Sequence, residues 1–440
     1  MAIKNFAIIL FALLSFTSCK PKETAIVSAK FIDSLMTNYA VPEAIKANEM
    51  EMLFWKKRIN NDGFDIVNDS KYASTLVSRF HLSGDIKDVK QADSIQLMLA
   101  KNFNTKEAGP YLALTANAIL QHLKKKIEVQ LLKEAENYLQ IAKTIGIKKY
   151  ETYATAFDVD FENGKIYSAS DALNNISAEN DFGYQFRKSK MAHYNGSLDS
   201  SIAFMQKAVE LSAQNNTLKT IALSNVGDLY THAGQLDKAY DSYMQCIKIN
   251  SADLHSIMAI GWIALVHDKN DALAEKIFQF VQTKTKSPEP VYKLILMAQQ
   301  RQDSTLEYKY AKEFETLVAD TIYGNMYNKY LIQLYTGILK NPAKAEAIAK
   351  KELDNRSTPQ TYAWYAFSLL SNNKKGEANA VFKKYISGKP LEGLELYFMG
   401  RLMLASKKGY NAQQYFKEAY KNKYDLSPGI IKDLESELEH

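Results

Sequence analysis

Residues Ala222 to Ile249 read ALSNVGDLYTHAGQLDKAYDSYMQCIKI, and this stretch decides the fold. Leu223, Val226 and Tyr230 fall on one face of a helix, Gly234 breaks it, and Ala239, Tyr243 and Cys246 share one face of a second helix. Gly227 and Ala239 are small, as two backbones require where they cross in contact, while Leu223, Tyr230 and Tyr243 are bulky enough to fill the space on either side. The stretch therefore predicts a closely crossed helix pair.

The pattern repeats. Taking the small residue at the crossing point of each second helix, the anchors are Ala135, Ala169, Ser201, Ala239, Ala274, Ala311, Ala345, Ala378 and Ala412, spaced 32 to 38 residues apart. Gly164, Gly196 and Gly234 each stand five residues before an anchor, where glycine suits a left-handed helix stop. The units 362–390 and 396–424 repeat the central one well, and those around Ser201 and Ala311 poorly. Upstream, helices are expected over 24–39 and 41–60 as an N-terminal pair, then over 72–82 and 91–102, and over 111–123 and 131–144. A last helix over 428–439 would cover the terminal apolar face.

The order of a bulky residue, apolar-Gly, Tyr, Ala, aromatic and small residue resembles the tetratricopeptide repeat, a helix pair of about 34 residues. The resemblance implies an all-α, right-handed superhelical solenoid of antiparallel helix pairs that presents a concave groove to a protein or peptide partner and seldom performs chemistry. The expected organisation is residues 1–18 as a signal peptide, 19–23 as a lipidated tether, 24–105 as capping helices and degenerate pairs, 106–425 as the repeat array, and 426–440 as a C-terminal cap. In this family the groove is lined by first-helix positions. They correspond here to Ser224, Asp228 and Thr231; Met258, Trp262 and Leu265; Ala363, Phe367 and Leu370; and Tyr397, Arg401 and Leu404. Asp228, Trp262, Phe367, Tyr397 and Arg401 are the candidate partner contacts, and the Lys and Asn set that clamps a C-terminal carboxylate in some family members is missing.

Composition narrows the function classes. With 46% hydrophobic and 24% charged residues the chain is an ordinary globular one, and nine prolines with 18 glycines are few for an all-β protein of 440 residues. The net charge of +6 comes from interspersed signs, without the concentrated basic face of a nucleic-acid binder. Seven histidines show neither HExxH nor metal-ligand spacing, and Asp158, Asp160 and Glu162 lack the glycine and terminal glutamate of a calcium loop. No phosphate loop, GxSxG elbow or CxxC occurs, so the expectation is no enzyme, no cofactor and no metal. Cys246 sits at a small-residue helix position and reads as a packed thiol.

At the N-terminus, Phe6 to Phe16 is an uncharged apolar run, too short to span a bilayer, which needs about 20 residues, and it reads as a signal peptide. Phe16-Thr17-Ser18-Cys19 resembles a bacterial lipobox, with Phe16 where Leu is usual, and so implies acylation of Cys19. The following Lys20-Pro21-Lys22-Glu23 lacks the aspartate of inner-membrane retention, which by the same resemblance implies an outer-membrane lipoprotein facing the periplasm. The reading is a lipid-anchored envelope scaffold for protein–protein interaction. The alternative is a glycan-binding or nutrient-uptake lipoprotein of the SusD type, which the 27 tyrosines suit and the continuous repetition does not.

Overall fold

The computed structural model describes residues 24–439 apart from 40–42, 60–64, 104–105, 123–127, 147–148, 177, 320–322, 324 and 408. Among these residues the regular structure is helical throughout. The first helices are α1 (Ala29–Thr37), α2 (Glu43–Arg58), α3 (Ile66–Ser83), α4 (Ile86–Asn102), α5 (Ala108–His122) and α6 (Glu128–Ile145). The middle holds α7 (Lys149–Glu162), α8 (Ile166–Asn174), α9 (Phe182–Tyr194), α10 (Leu198–Leu211), α11 (Asn216–His232), α12 (Leu236–Ile249), α13 (Leu254–Val266) and α14 (Asp271–Gln282). The remainder is α15 (Glu289–Gln300), α16 (Ser304–Val318), α17 (Asn328–Thr336), α18 (Pro342–Asn355), α19 (Pro359–Ser371), α20 (Lys375–Val381), α21 (Gly393–Ala405), α22 (Gly409–Lys421) and α23 (Pro428–Leu438). From α3 onward the helices pack as successive pairs and each pair packs on the next, which is the solenoid the periodicity predicts.

The register of small residues holds. Ala169, Ser201, Ala239, Ala274, Ala311, Ala345, Ala378 and Ala412 are all buried, and the Ala135 side chain lies outside the described residues. A Cβ placed on Gly227 would come within 2.5 Å of the Tyr243 ring, and one on Gly261 within 2.8 Å of Phe278, so backbone and ring touch at these crossings. The Ser201 unit, which departs from the pattern, keeps the geometry by other chemistry. Ser189 Oγ donates to the Ser201 carbonyl at 2.8 Å and Ser201 Oγ to the Ser189 carbonyl at 2.9 Å, so two hydroxyls replace a glycine and an alanine and satisfy each other.

Gly164, Gly196 and Gly234 take φ values of 71°, 76° and 70°, as expected of left-handed stops. The corresponding turns further on place Lys269, Gln302, Lys340, Asn373 and Lys407 in the same conformation. The residue after each of the first four closes the turn with a backbone hydrogen bond to the preceding helix, Asn270 to Ala264 at 2.9 Å, Asp303 to Ala298 at 3.0 Å, Asn341 to Tyr335 at 2.8 Å and Lys374 to Leu369 at 2.8 Å. Lys340 is exposed, so Lys340→Gly should raise stability by up to about 1 kcal/mol, as read by chemical denaturation.

Two features go beyond a string of pairs. First, α1 does not pair with α2 as expected, because its apolar face docks on α14 and buries Ile32 in the core of α11–α16. The buried Asp268 carboxylate accepts the backbone N–H of Ile26 and of Val27, both at 2.9 Å, and so clips the segment in place. Second, the array coils back on itself. Asp85 pairs with Lys286 at 2.7 Å, 201 residues on; α6 touches α18; Gly164 lies against Thr358; and His232 bonds Asp425, 193 residues on. A near-constant offset is what a superhelix produces when one coil rests on the next.

Candidate functional site: the inner cavity

The close coil walls in a cavity of about 400 Å³. Its sides are first helices of successive units, as the repeat register implies. Asp228 and Thr231 come from α11, Met258 and Trp262 from α13, Glu289, Tyr292 and Lys293 from α15, and Lys329 and Tyr330 from α17. The floor is Leu394 with the segment Asp425–Ser427 that precedes α23. An adjoining chamber of about 490 Å³ shares Glu289, Lys329 and Tyr330 and continues to Lys190, Arg356, Trp364, Glu392 and Glu395.

Of the residues expected to face a partner, the structure brings Asp228 and Trp262 into one wall. Asp228 accepts from the Tyr243 hydroxyl at 2.7 Å and from His255 Nε2 at 3.0 Å. Trp262 is 6% exposed; its Nε1 donates to the Tyr424 carbonyl at 2.6 Å, and Lys293 Nζ lies 4.2 Å from the centre of its ring. Phe367 and Tyr397 line a separate cavity of about 210 Å³ near Gly429 and Ile430, with Phe367 stacked on Phe398 at 4.0 Å.

The expectation of an open groove at Tyr397 and Arg401 is corrected, because α23 is already there. Tyr397 donates to Asp433 at 2.8 Å, and Arg401 pairs with Asp433 at 3.1 Å and Glu437 at 2.8 Å. The terminal helix buries Leu434 and packs on α22 as a cap should, but it also crosses to α15, with Lys432 donating to Gln302 at 2.9 Å. Cys19 lies outside the described residues.

Sequence reasoning missed His255, Glu289, Lys293 and Lys329. Glu289 and Lys293 stand four apart on α15 and so share a face, which was a legible sign that this helix presents charge. Among the described residues neither is in an ion pair, and burial pulls the Lys293 ammonium down. In the second chamber, burial pushes the Glu395 carboxyl up while Lys329 Nζ, 3.6 Å away, opposes this, and Trp364 Nε1 donates to Glu395 at 2.6 Å.

His255 is held in the charged state. The neighbouring Asp228 carboxylate raises its pKa to about 9 against the opposing effect of burial, so at neutral pH the imidazolium has no lone pair with which to act as a base. The folded value lies above the ordinary one of about 6.5. The stabilisation from this pair is therefore present below pH 6.5 and lost as pH rises through about 9. Both side chains are about half exposed, 52% and 47%, which limits the pair to about 1 kcal/mol or less. The expected result is one histidine proton resonance titrating above the ordinary value of about 6.5 that returns toward it in Asp228→Asn. A His255 resonance titrating near 6.5 in the native chain would contradict the pairing.

The tetratricopeptide repeat model matches residues 222–253, the central helix pair. No curated protein matches the chain by sequence. Among solved structures, a tetratricopeptide repeat protein from Parabacteroides merdae is similar over 67% of this chain and 100% of its own, with 15% identity and a TM-score of 0.34. A monomeric IFIT1 mutant with m7Gppp-AAAA is similar over 76% of this chain and 75% of its own, at 12% identity and a TM-score of 0.46. A human IFIT1 dimer with PPP-AAAA covers 76% of each chain at 12% identity and 0.42.

Proposed function

We propose that this tetratricopeptide repeat protein is a non-catalytic scaffold, held in the cell envelope by an acylated Cys19, that binds an extended segment of a protein partner in the inner cavity. The observation that carries this reading is the pair of first-helix charges, Glu289 and Lys293, which line the cavity and, among the described residues, form no ion pair. The wall also carries Asp228, Glu289 and Asp425 beside Lys293 and Lys329, and aromatic rings from Trp262, Tyr292 and Tyr330. Mixed charge around rings suits a polypeptide, whereas a phosphate backbone requires a predominantly basic wall.

Affinity capture from detergent-solubilised envelope, followed by mass spectrometry, identifies the partner. Lys293→Met and Glu289→Gln, which remove the charge and keep most of each side chain's volume, should each lower its recovery about tenfold or more with little change in melting temperature, since truncating a central interface charge commonly costs 2 kcal/mol or more. Undiminished capture by both would move the binding surface elsewhere. Oligosaccharide binding weakened by the same substitutions would favour the glycan-binding alternative. Anchoring is tested separately: Cys19→Ala should release the protein from the membrane, and an intact mass without acyl groups would end that part of the reading.

A further inference from the structure

The terminal helix α23 occupies the place that the repeat register reserves for a partner. The cavity of about 210 Å³ lies between Gly429 and Ile430 of α23 and the first helices of four successive units, with Gln299 from α15, Gln333 from α17, Phe367 from α19 and Tyr397 from α21. Alongside it, Tyr397 and Arg401 are bonded to Asp433 and Glu437, which stand one turn apart on α23. First helices line the concave surface with which a solenoid binds other chains. Here that surface is already engaged from within the chain.

The helix fits its bed loosely. Pro428 and Leu434 are its only buried residues. Protein interiors are close-packed, yet a cavity separates α23 from four of the helices it crosses. On the wall of that cavity Gln299 Oε1 is buried and has no hydrogen-bond partner among the described residues, although Gly429 lies against it. Arg401, Asp433 and Glu437 are each about a third exposed, so their ion pairs hold the helix weakly. What the helix presents is nevertheless specific. Ile430, Leu434 and Leu438 recur every four residues, Asp433 and Glu437 flank them, and residues 433–439 carry four acids and no base.

We infer that α23 is a displaceable occupant of the groove, and that the surface beneath it receives an acidic amphipathic helix of a partner with the same spacing of aliphatic side chains and carboxylates. Tyr397 and Arg401 take the two carboxylates one turn apart, and Phe367 and Gln299 meet the apolar side. The segment 425–427 that floors the inner cavity leads directly into α23, so displacing the helix also loosens one wall of that cavity. The inference rests on the scaffold reading only in taking the ligand to be a polypeptide, since its contacts are not Lys293 and Glu289.

The test titrates a fluorescein-labelled peptide of residues 426–440 into the full chain, and into the full chain carrying Asp433→Asn and Glu437→Gln, with fluorescence anisotropy as the readout. Apparent affinity scales with the fraction of chains whose own helix is undocked. The expected result is binding at least about tenfold tighter to the double variant than to the native chain, and loss of that gain when Arg401→Gln is added. Binding that is equal in the native chain and the double variant, absent from both, or matched by a scrambled peptide of the same composition would overturn the inference. Should the double variant not fold, amide hydrogen exchange in the native chain decides. Exchange in α23 at least about tenfold faster than in α21 supports undocking from a folded array, and equal protection of the two helices overturns it. A negative peptide titration leaves the inner-cavity reading standing, and undiminished partner capture by the Lys293 and Glu289 variants leaves this one standing.

Discussion

Gly227→Ala is expected to destabilise the protein by about 2 kcal/mol although it improves helix propensity. The added methyl would sit 2.5 Å from the Tyr243 ring, which is 1% exposed. The ring cannot yield cheaply, because its hydroxyl is held by Asp228 at 2.7 Å and lies 3.2 Å from Thr231. Overpacking of this kind costs about 1 to 3 kcal/mol, and a further hydrogen bond lost to ring movement costs about 1. The gain from replacing glycine inside a helix is only about 1, so the clash wins. Gly376→Ala is the control, since nothing lies within 4 Å of the added atom and the substitution should be neutral or slightly stabilising. Denaturant unfolding of both variants checks the pair of signs. Gly227→Ala as stable as the native chain would mean that the helices do not cross in contact there.

Trp262→Ala should cost more, about 3 to 5 kcal/mol, as large-to-small changes in a packed core do. The indole is nearly buried, carries Lys293 over its face and holds the Tyr424 carbonyl. Its loss removes the anchor for the segment that floors the cavity. Trp262→Phe keeps most of the volume and loses the hydrogen bond, so it should cost about 1 to 2 kcal/mol. The ordering of the two variants in thermal unfolding separates packing from the bond to Tyr424. For the same reason the partner-binding test rests on Lys293 and Glu289 and not on this tryptophan.

The local fold was legible because close helix crossings admit few residue types. Alanine or serine at a fixed interval is a steric requirement, and the anchors at Ala239, Ala378 and Ala412 are buried where that requirement places them. The Ser189–Ser201 crossing read poorly because a reciprocal hydroxyl pair meets the same requirement with residues common on any helix surface. The left-handed turns at Lys269, Gln302 and Lys340 were invisible because they are closed by backbone hydrogen bonds, which leave no mark on residue choice. Coiling was less legible still. Small rotations between units accumulate over about 200 residues, and no local pattern records whether Asp85 will meet Lys286 or whether α1 will leave its neighbour for Asp268. The candidate site shared this fate. The register put Asp228 and Trp262 on first helices, but which residues stand opposite them follows only from the coil, and that α23 engages Tyr397 and Arg401 only from how the terminal helix packs.

The close return of the superhelix is therefore the central claim, and zero-length carbodiimide cross-linking with peptide mass spectrometry reads it directly. Lys286 with Asp85 is an ion pair 201 positions apart that joins one coil to the next, while Lys276 with Asp33 at 2.8 Å, 243 positions apart, reads the docking of α1 on α14. Both should appear as isopeptide-linked peptides in the monomer fraction. Cross-links confined to neighbours such as Lys207–Glu210 and Lys421–Glu418, without Lys286–Asp85, would contradict the coil and the walled cavity that depends on it, whether or not Lys276–Asp33 is recovered.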